Sequence, residues 1–352
     1  MSREADTPAE PDRLEGAPHP REQLAFFGHA EGEGAFIEGI RGGRLHHAWL
    51  IGGLQGIGKA TLAYRVARRL LDLRPGTPVD SLDVPAASAA ARQVAALSHP
   101  NLAILRRAPA TDKKGPSATI PVDAVRRALS VFGSTSADGG YRVCIVDSAD
   151  DLTIASANAL LKVIEEPPPR SIFLIVSHAP QRLLPTIRSR CRRLALRPLG
   201  EGEIRQVIGS LGKPWSDAPQ ELLAQALTLG EGSVRRTLEM LDEDKLAFVA
   251  QVTQALDALP RTEPKRVLAL AESLAKRDAD ETYELALDTV QQWVSRRLEA
   301  QAALGPARLA PLVEVCDKVA RQAREVDVYN LDRRPLVLSL FDDLAEAVRR
   351  TA

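Results

Sequence analysis

Residues 52–63 read GGLQGIGKATLA. Gly53, Gly58 and Lys59 stand at the G-x-x-x-x-G-K spacing of a phosphate-binding loop, with Gly56 inside it. The residue after the lysine decides how the loop is read. A nucleotide hydrolase has Ser or Thr there, because that hydroxyl ligates Mg²⁺; this chain has Ala60. Thr61 comes one residue later, about 100° further round a helix, and is a poor substitute. The glycines let the backbone curl so that several N–H groups face phosphate oxygens at the positive end of the next helix. Lys59 would place a point charge on the β- and γ-phosphates. The loop keeps the parts that hold phosphate and lacks the one that holds metal.

The apolar run AWLIGG (48–53) precedes the loop and KATLAYRVARRLLDL (59–73) follows it. In the latter, Leu62, Val66, Leu70 and Leu71 recur at helical spacing. Strand, loop and helix is the context a phosphate loop requires. Further on, the pattern predicts a helix around 86–97, a loop at 108–119, a helix over 121–134 and a buried strand in YRVCIVDSADDL (141–152). A helix over 155–169, stopped by three prolines, and a buried strand over 171–178 complete it. Alternating buried strands and helices imply a parallel sheet covered on both faces. After about Leu199 every convincing segment has helical period: 202–211, 218–229, 233–242, 245–258, 265–276, 281–303, 308–324 and 335–350. The expected fold is a P-loop α/β domain over 21–200, a helical lid over 201–245 and an all-α domain over 246–352. Residues 1–20, rich in Pro, Glu, Asp and Ala, are expected to form a disordered tail, with structure beginning near Phe26.

The strand Val143-Cys144-Ile145-Val146-Asp147 has the form of the acidic strand that serves the metal's outer shell. Asp147 stands where that carboxylate belongs; an Asp that merely caps the turn is the duller alternative. Hydrolysing proteins follow it with Glu, which orients the attacking water, whereas this chain has Ser148. Ala60 and Ser148 together remove the metal hydroxyl and the water-positioning carboxylate while the phosphate cradle survives. A third feature is TIRSRCRRLALR (186–197), where, with Arg182, six arginines crowd sixteen residues. A solvated basic turn is the default reading of such a run. The sharper one is that an arginine reaches the γ-phosphate of a neighbouring subunit.

Lys+Arg and Asp+Glu both number 46, so the net charge is zero and nucleic-acid contact would need a local patch. The three cysteines, Cys144, Cys191 and Cys316, have no C-x-x-C spacing. They suit neither a four-cysteine zinc site nor a disulfide framework, which fits a reducing compartment. His99, before Pro100, has no partner nearby in sequence and reads as a turn residue. No run of 18 apolar residues occurs and the N-terminus is acidic, so a soluble cytoplasmic protein with no membrane partner is expected.

On these residues the chain resembles clamp-loader subunits of the AAA+ class, the ring components that serve bacterial DNA polymerase III in replication. The resemblance runs from FFGHAEGEGAFIEGIRGGRLHHAWLIGG to VDSADDLTIASANALLKVIEEPPPRSIFLIVSHAPQRLLPTIRSRC, most of the first 200 residues. NALLK followed by IEEPP, then LLPTIRSRC, is specific to the group. HAP and GKAT lean towards its non-hydrolysing member rather than its motor. Weaker similarity continues in GSVRRTLEML (232–241) and YNLDRRPLVLSLFDDL (329–344). The resemblance implies a five-subunit ring that opens a sliding clamp and places it on primer–template DNA. Its partners would be the motor and other loader subunits. It implies that Ser189-Arg190-Cys191 supplies an arginine finger in trans, and that Arg235 lies where a second sensor arginine sits on the lid. Phe27, Gly28 and His29 match the loop lining the adenine pocket. The C-terminal helices, with Trp293 amid charge, would form an oligomerising collar, although a plain monomeric bundle has the same pattern. The usual zinc module is missing, since residues 72–140 contain no cysteine.

Two functions compete with that of a ring subunit lacking its own hydrolysis. One is an ATP-hydrolysing motor, against which Ala60 and Ser148 argue. The other is a small-molecule phosphotransferase, which leaves the Ser-Arg-Cys motif unexplained. Lys59 favours ATP or ADP at the loop and Ala60 opposes tight Mg·ATP, so nucleotide occupancy stays open. Lys162 is either a phosphate contact or a solvated lysine. In this reading the chain belongs to a polymerase assembly without having ATPase or polymerase activity itself.

Overall fold

Four strands of the sequence are apolar enough to be buried on both faces, and they organise the first half of the chain. The computed structural model describes residues 10, 13–74, 76–109, 117, 119–133, 139–276, 279–329 and 331–351. Within it, β1 (Ala48–Gly52), β2 (Leu102–Leu105), β3 (Arg142–Val146), β4 (Ser171–Ser177) and β5 (Arg192–Ala195) form one parallel sheet in the order β2-β3-β4-β1-β5. Register is set by pairs such as Ala48↔Phe173, Cys144↔Phe173 and Trp49↔Arg192. Alternate residues serve two cores. Trp49, Ile51, Val143, Ile145 and Leu174 pack with Leu62, Val66 and Leu70 of α2 (Lys59–Asp72). Leu50, Cys144, Val146, Phe173 and Ile175 pack with Val125 of α4 (Val122–Leu129) and Leu160 and Ile164 of α5 (Ile154–Glu165). Helices α1 (Ala30–Arg41), α3 (Ala89–Ala95) and α6 (Pro185–Arg190) complete this layer. The result is a parallel-sheet α/β domain, with the carboxyl ends of β3, β4 and β1 side by side.

The chain divides into two compact units, Met1–Leu238 and Glu239–Ala352. Helices α7 (Glu201–Leu211), α8 (Gln220–Gly230) and α9 (Val234–Glu239) follow the sheet. The second unit holds α10 (Glu243–Asp257), α11 (Pro264–Leu274), α12 (Asp280–Ala300), α13 (Pro306–Tyr329) and α14 (Arg334–Thr351) around one core containing Leu256, Ala271, Leu312 and Leu344. Trp293 belongs to that core, only 5% exposed, with Nε1 donating to Asp257 Oδ1 at 2.7 Å. It is no exposed oligomer contact, so the tryptophan lends the collar reading no support. No helix among the described residues is long and apolar enough to cross a membrane.

Two expectations are corrected here. The arginine-rich stretch is not simply a basic turn: Arg192–Ala195 is the edge strand β5, hydrogen-bonded to β1, with the Arg192 guanidinium 4.6 Å over the Trp49 ring. Its side chains are mostly exposed because an edge strand is covered less, so the apolar signature of the inner strands is missing. The tail is also ordered earlier than Phe26. Glu10 bonds Arg21 at 2.7 Å and Arg106 at 2.9 Å, and His19 is 1% exposed, edge-on to Tyr64. Ion pairing and one buried ring hold a segment too poor in apolar residues to be held otherwise. Residues 1–9, 11 and 12 of the expected tail lie outside the described residues, as do most of those in the expected loop at 108–119.

Burial would raise the Glu10 carboxyl, but Arg106 and Arg21 hold it at about 2. Burial first, then the charge of Arg21, pushes His19 down to about 4, against the opposing pull of Glu10. His19 is therefore neutral when folded, with a pKa below the unfolded value of about 6.5. Its contribution to stability is complete above pH 6.5 and is lost as pH falls through about 4. An NMR titration of its ring is expected to show a midpoint near 4. Exchange of the Glu22 and Gln23 amides, which donate to the His19 carbonyl, should accelerate over the same range. A midpoint near 6.5 would contradict this placement.

Candidate nucleotide cleft and arginine motif

The glycine loop leaves β1 at its carboxyl end and enters α2, the position at which parallel α/β sheets hold ligands. At Gly53, φ is +144°, and a β-carbon there would come within 2.7 Å of the Leu196 carbonyl oxygen. At Gly56, φ is +75°, and a β-carbon would meet Ser233 Oγ at 2.4 Å and Arg235 Cβ at 2.6 Å. These positions admit glycine because other chain segments press directly on the loop. At Gly56 the pressing segment is the start of α9: Val234 and Arg235 donate their N–H groups to the Gly56 carbonyl at 3.0 and 3.4 Å. A helix start has N–H groups with no partner inside the helix, and here the loop supplies one.

Lys59 is 3% exposed. Its Nζ donates to the carbonyls of Gly53, at 2.7 Å, and Leu54. Burial pulls its pKa down to about 8, with Asp150 and Asp147 opposing. A buried ammonium ringed mainly by loop carbonyls would be stabilised by an anion, so the cradle fits a phosphate group. The metal side does not fit as well. Ala60 and Thr61 both line the cleft, but Ala60 offers no ligand where the motif needs one.

Asp147 is 7% exposed and also lines the cleft, so it sits beside the loop as the strand reading required. Ser148 does something the sequence did not disclose. Its hydroxyl donates to Asp150 Oδ2 at 2.7 Å, and Asp150 in turn accepts from Ser177 Oγ (2.9 Å), His178 N (2.7 Å) and Ala179 N (3.0 Å). Burial would raise the Asp150 carboxyl, but Ser148, His178 and Ser177 outweigh it and leave it below the usual carboxylate range. In place of a water-positioning glutamate stands a clamp that ties the end of β3 to the end of β4.

The cleft, about 200 Å³, has apolar walls. Leu14, Ala17, Pro18 and Pro20 line it together with Phe26 and Phe27, and so do Val207, Leu211 and Leu238 from the helices that follow the sheet. Arg235 lines it as well, which brings the expected second sensor arginine to the loop. Of the three residues matched to the adenine loop, Phe27 lines the cleft, Gly28 packs on Leu199, and the His29 ring bonds the Ile57 carbonyl at 2.8 Å. His99 accepts the Asn101 N–H at 3.1 Å, as a turn residue does, and Lys162 is exposed.

Ser189-Arg190-Cys191 is elsewhere. Arg190 ends α6 and is exposed, and none of the three lines the cleft. Ser189 Oγ donates to the Thr186 carbonyl at 3.1 Å. Cys191 is buried, its thiol pushed up to about 11 by that burial against the charge of Arg193. It anchors the motif and is no nucleophile. The geometry therefore gathers Gly53, Gly56, Gly58, Lys59, Ala60, Thr61, Asp147 and Arg235 at one site and places Arg190 outside it.

Residues 29–200 match the family model described as DNA polymerase III, delta subunit. The chain is 36% identical over 194 residues to DNA polymerase III subunit delta' of Pseudomonas aeruginosa, covering 54% of this chain and 55% of that one. It is 34% identical over 220 residues to the Escherichia coli subunit delta', covering 62% of each. Similarity to E. coli subunit tau is lower, 29% over 293 residues, covering 77% of this chain and 40% of tau. The chain thus spans 55–62% of the length of these delta' relatives. The resemblance carried by the glycine loop and the Ser-Arg-Cys stretch is borne out.

The glycine at position 56 can be tested directly. Gly56→Ala is expected to cost about 1–2 kcal/mol in backbone strain alone. It should also accelerate hydrogen exchange at Val234 and Arg235, whose amides would lose their acceptor. Unchanged exchange at both would mean that loop and lid are not coupled through this carbonyl.

Proposed function

We propose that this chain is a delta'-type subunit of a DNA polymerase III clamp loader, one that does not hydrolyse ATP itself and lends Arg190 to the ATPase subunit beside it. The observation that carries the reading is a separation. The chain's own cleft lacks the metal-binding hydroxyl at position 60 and the water-orienting carboxylate at position 148, while Arg190 stands exposed and outside that cleft. An arginine that cannot serve its own loop is suited to another's, where it stabilises charge on the transferring phosphoryl group. Glycines 53, 56 and 58 with Lys59 and Arg235 could still hold ATP or ADP, with Thr61 and Asp147 nearby. Such a nucleotide would act as a structural ligand.

In this reading the partners are the motor and delta subunits, the sliding clamp and primer–template DNA, met in the cytoplasm during replication. Residues 1–238 carry the AAA+ domain and lid, and residues 239–352 serve as the collar through which the ring assembles. A motor of the gamma/tau type is the second reading, favoured by the similarity to tau over 77% of this chain. Ala60 and Ser148 weigh against it.

The test is DNA- and clamp-stimulated ATP hydrolysis by the reconstituted loader with Arg190→Ala. Turnover at the site this chain completes should fall by on the order of 10³-fold or more. Total hydrolysis would then drop by at least that site's share with assembly intact. An unchanged rate would remove the trans reading.

A further inference from the structure

The Arg190 side chain is engaged at both ends of its fork. Nη2 pairs with Glu165 Oε1 at 2.9 Å, and Nη1 donates to the Thr186 carbonyl at 3.1 Å and to Ser189 Oγ at 3.4 Å. On one side its main chain is fixed by α6, and on the other by buried Cys191 and the pairing of Arg192 with Trp49. The direction of the guanidinium is therefore decided by those three contacts. Two of them come from its own helix and travel with it. Glu165 alone comes from another element.

Glu165 is the last residue of α5. A carboxylate at that end faces the negative pole of the helix, where a cation is favoured. Glu166 follows it, so two acidic residues stand at an end that repels them. The ion pair lies at the surface, its side chains 40% and 39% exposed, and pairs of that kind add little to folding. Stability therefore accounts poorly for a glutamate here, whereas its grip on Arg190 gives it a purpose.

Resting on the reading that Arg190 acts in trans, we propose that Glu165 is a latch. It holds the Arg190 guanidinium on this chain until the phosphate of a neighbouring subunit displaces it. A phosphate offers more charge than one exposed carboxylate and bidentate geometry to the same fork. The Thr186 and Ser189 contacts keep the fork oriented during the exchange. Since Glu165 must be released for the ground state and the transition state alike, the latch weakens nucleotide binding at the neighbouring site more than it slows chemistry.

The experiment uses the assembled loader with its other hydrolytic sites disabled, so that turnover reports the site Arg190 serves. Glu165→Gln keeps the shape and removes the charge. It should lower KM for ATP about two- to fivefold, the equilibrium worth of an exposed ion pair, with kcat moving less than KM. Glu166→Gln, which removes the adjacent charge, should leave KM at the wild-type value. A KM that does not fall in Glu165→Gln, or that falls equally in both variants, overturns the latch. Arg190→Ala in the same assembly separates the two ideas: if it leaves turnover intact, the trans role itself is wrong and the latch falls with it.

Discussion

The hydrogen bonds from Val234 and Arg235 to the Gly56 carbonyl fix the lid over the phosphate loop, and most of the cleft follows from them. They work only because residue 56 has no side chain. Any β-carbon would fall inside Ser233 and Arg235. With α9 seated, Arg235 reaches the cleft and Leu238 closes its apolar wall. The loop needs the contact as much as the lid does, since helix α9 begins with amides that want an acceptor. Lys59 answers the loop from the other side by bonding the Gly53 and Leu54 carbonyls. The loop is thus shaped by protein contacts on both sides.

That constraint explains how the loop keeps its form without a hydroxyl at position 60 or a carboxylate at position 148. At position 60 a methyl that packs against the core beside α2 stands in place of the hydroxyl. Ser148 goes further, because its hydroxyl is used: through Asp150 it binds the end of β3 to Ser177, His178 and Ala179 at the end of β4. Restoring a glutamate at 148 would give back a carboxylate at the expense of the Ser148–Asp150 bond. Arg190 lies on a separate short helix whose anchor is buried Cys191, so changes in the cleft leave it in place.

The inner strands β1, β3 and β4 were legible because a strand buried on both faces must be apolar throughout, and so were the lid and bundle helices from their period. The glycine loop and Asp147 were legible for the same local reason. What escaped reading depends on contacts distant in sequence. Strand β5 carries Arg192 and Arg193, which an edge strand tolerates and an apolar pattern misses. Helix α1 contains three glycines in Ala30–Arg41 and shows its nature only through buried Phe36 and Ile40. The segment around His19 is held by Arg106, far along the chain, and by Tyr64 on α2. Nothing in the composition of residues 13–20 announces a pairing with either. The Asp150 clamp was hidden likewise, since three of its four donors come from the end of β4.

The central claim is that this chain's loop is silent in cis while its arginine acts in trans. The most direct measurement is ATP hydrolysis by an assembled loader in which the glycine-loop lysine of every other subunit has been replaced, with DNA and clamp present. Only the loop containing Lys59 then remains intact. The account predicts no hydrolysis above background, because Ala60 and Ser148 leave neither metal ligand nor water-orienting group. Turnover that persists in that loader and vanishes with Lys59→Ala would contradict it and identify the chain as a motor.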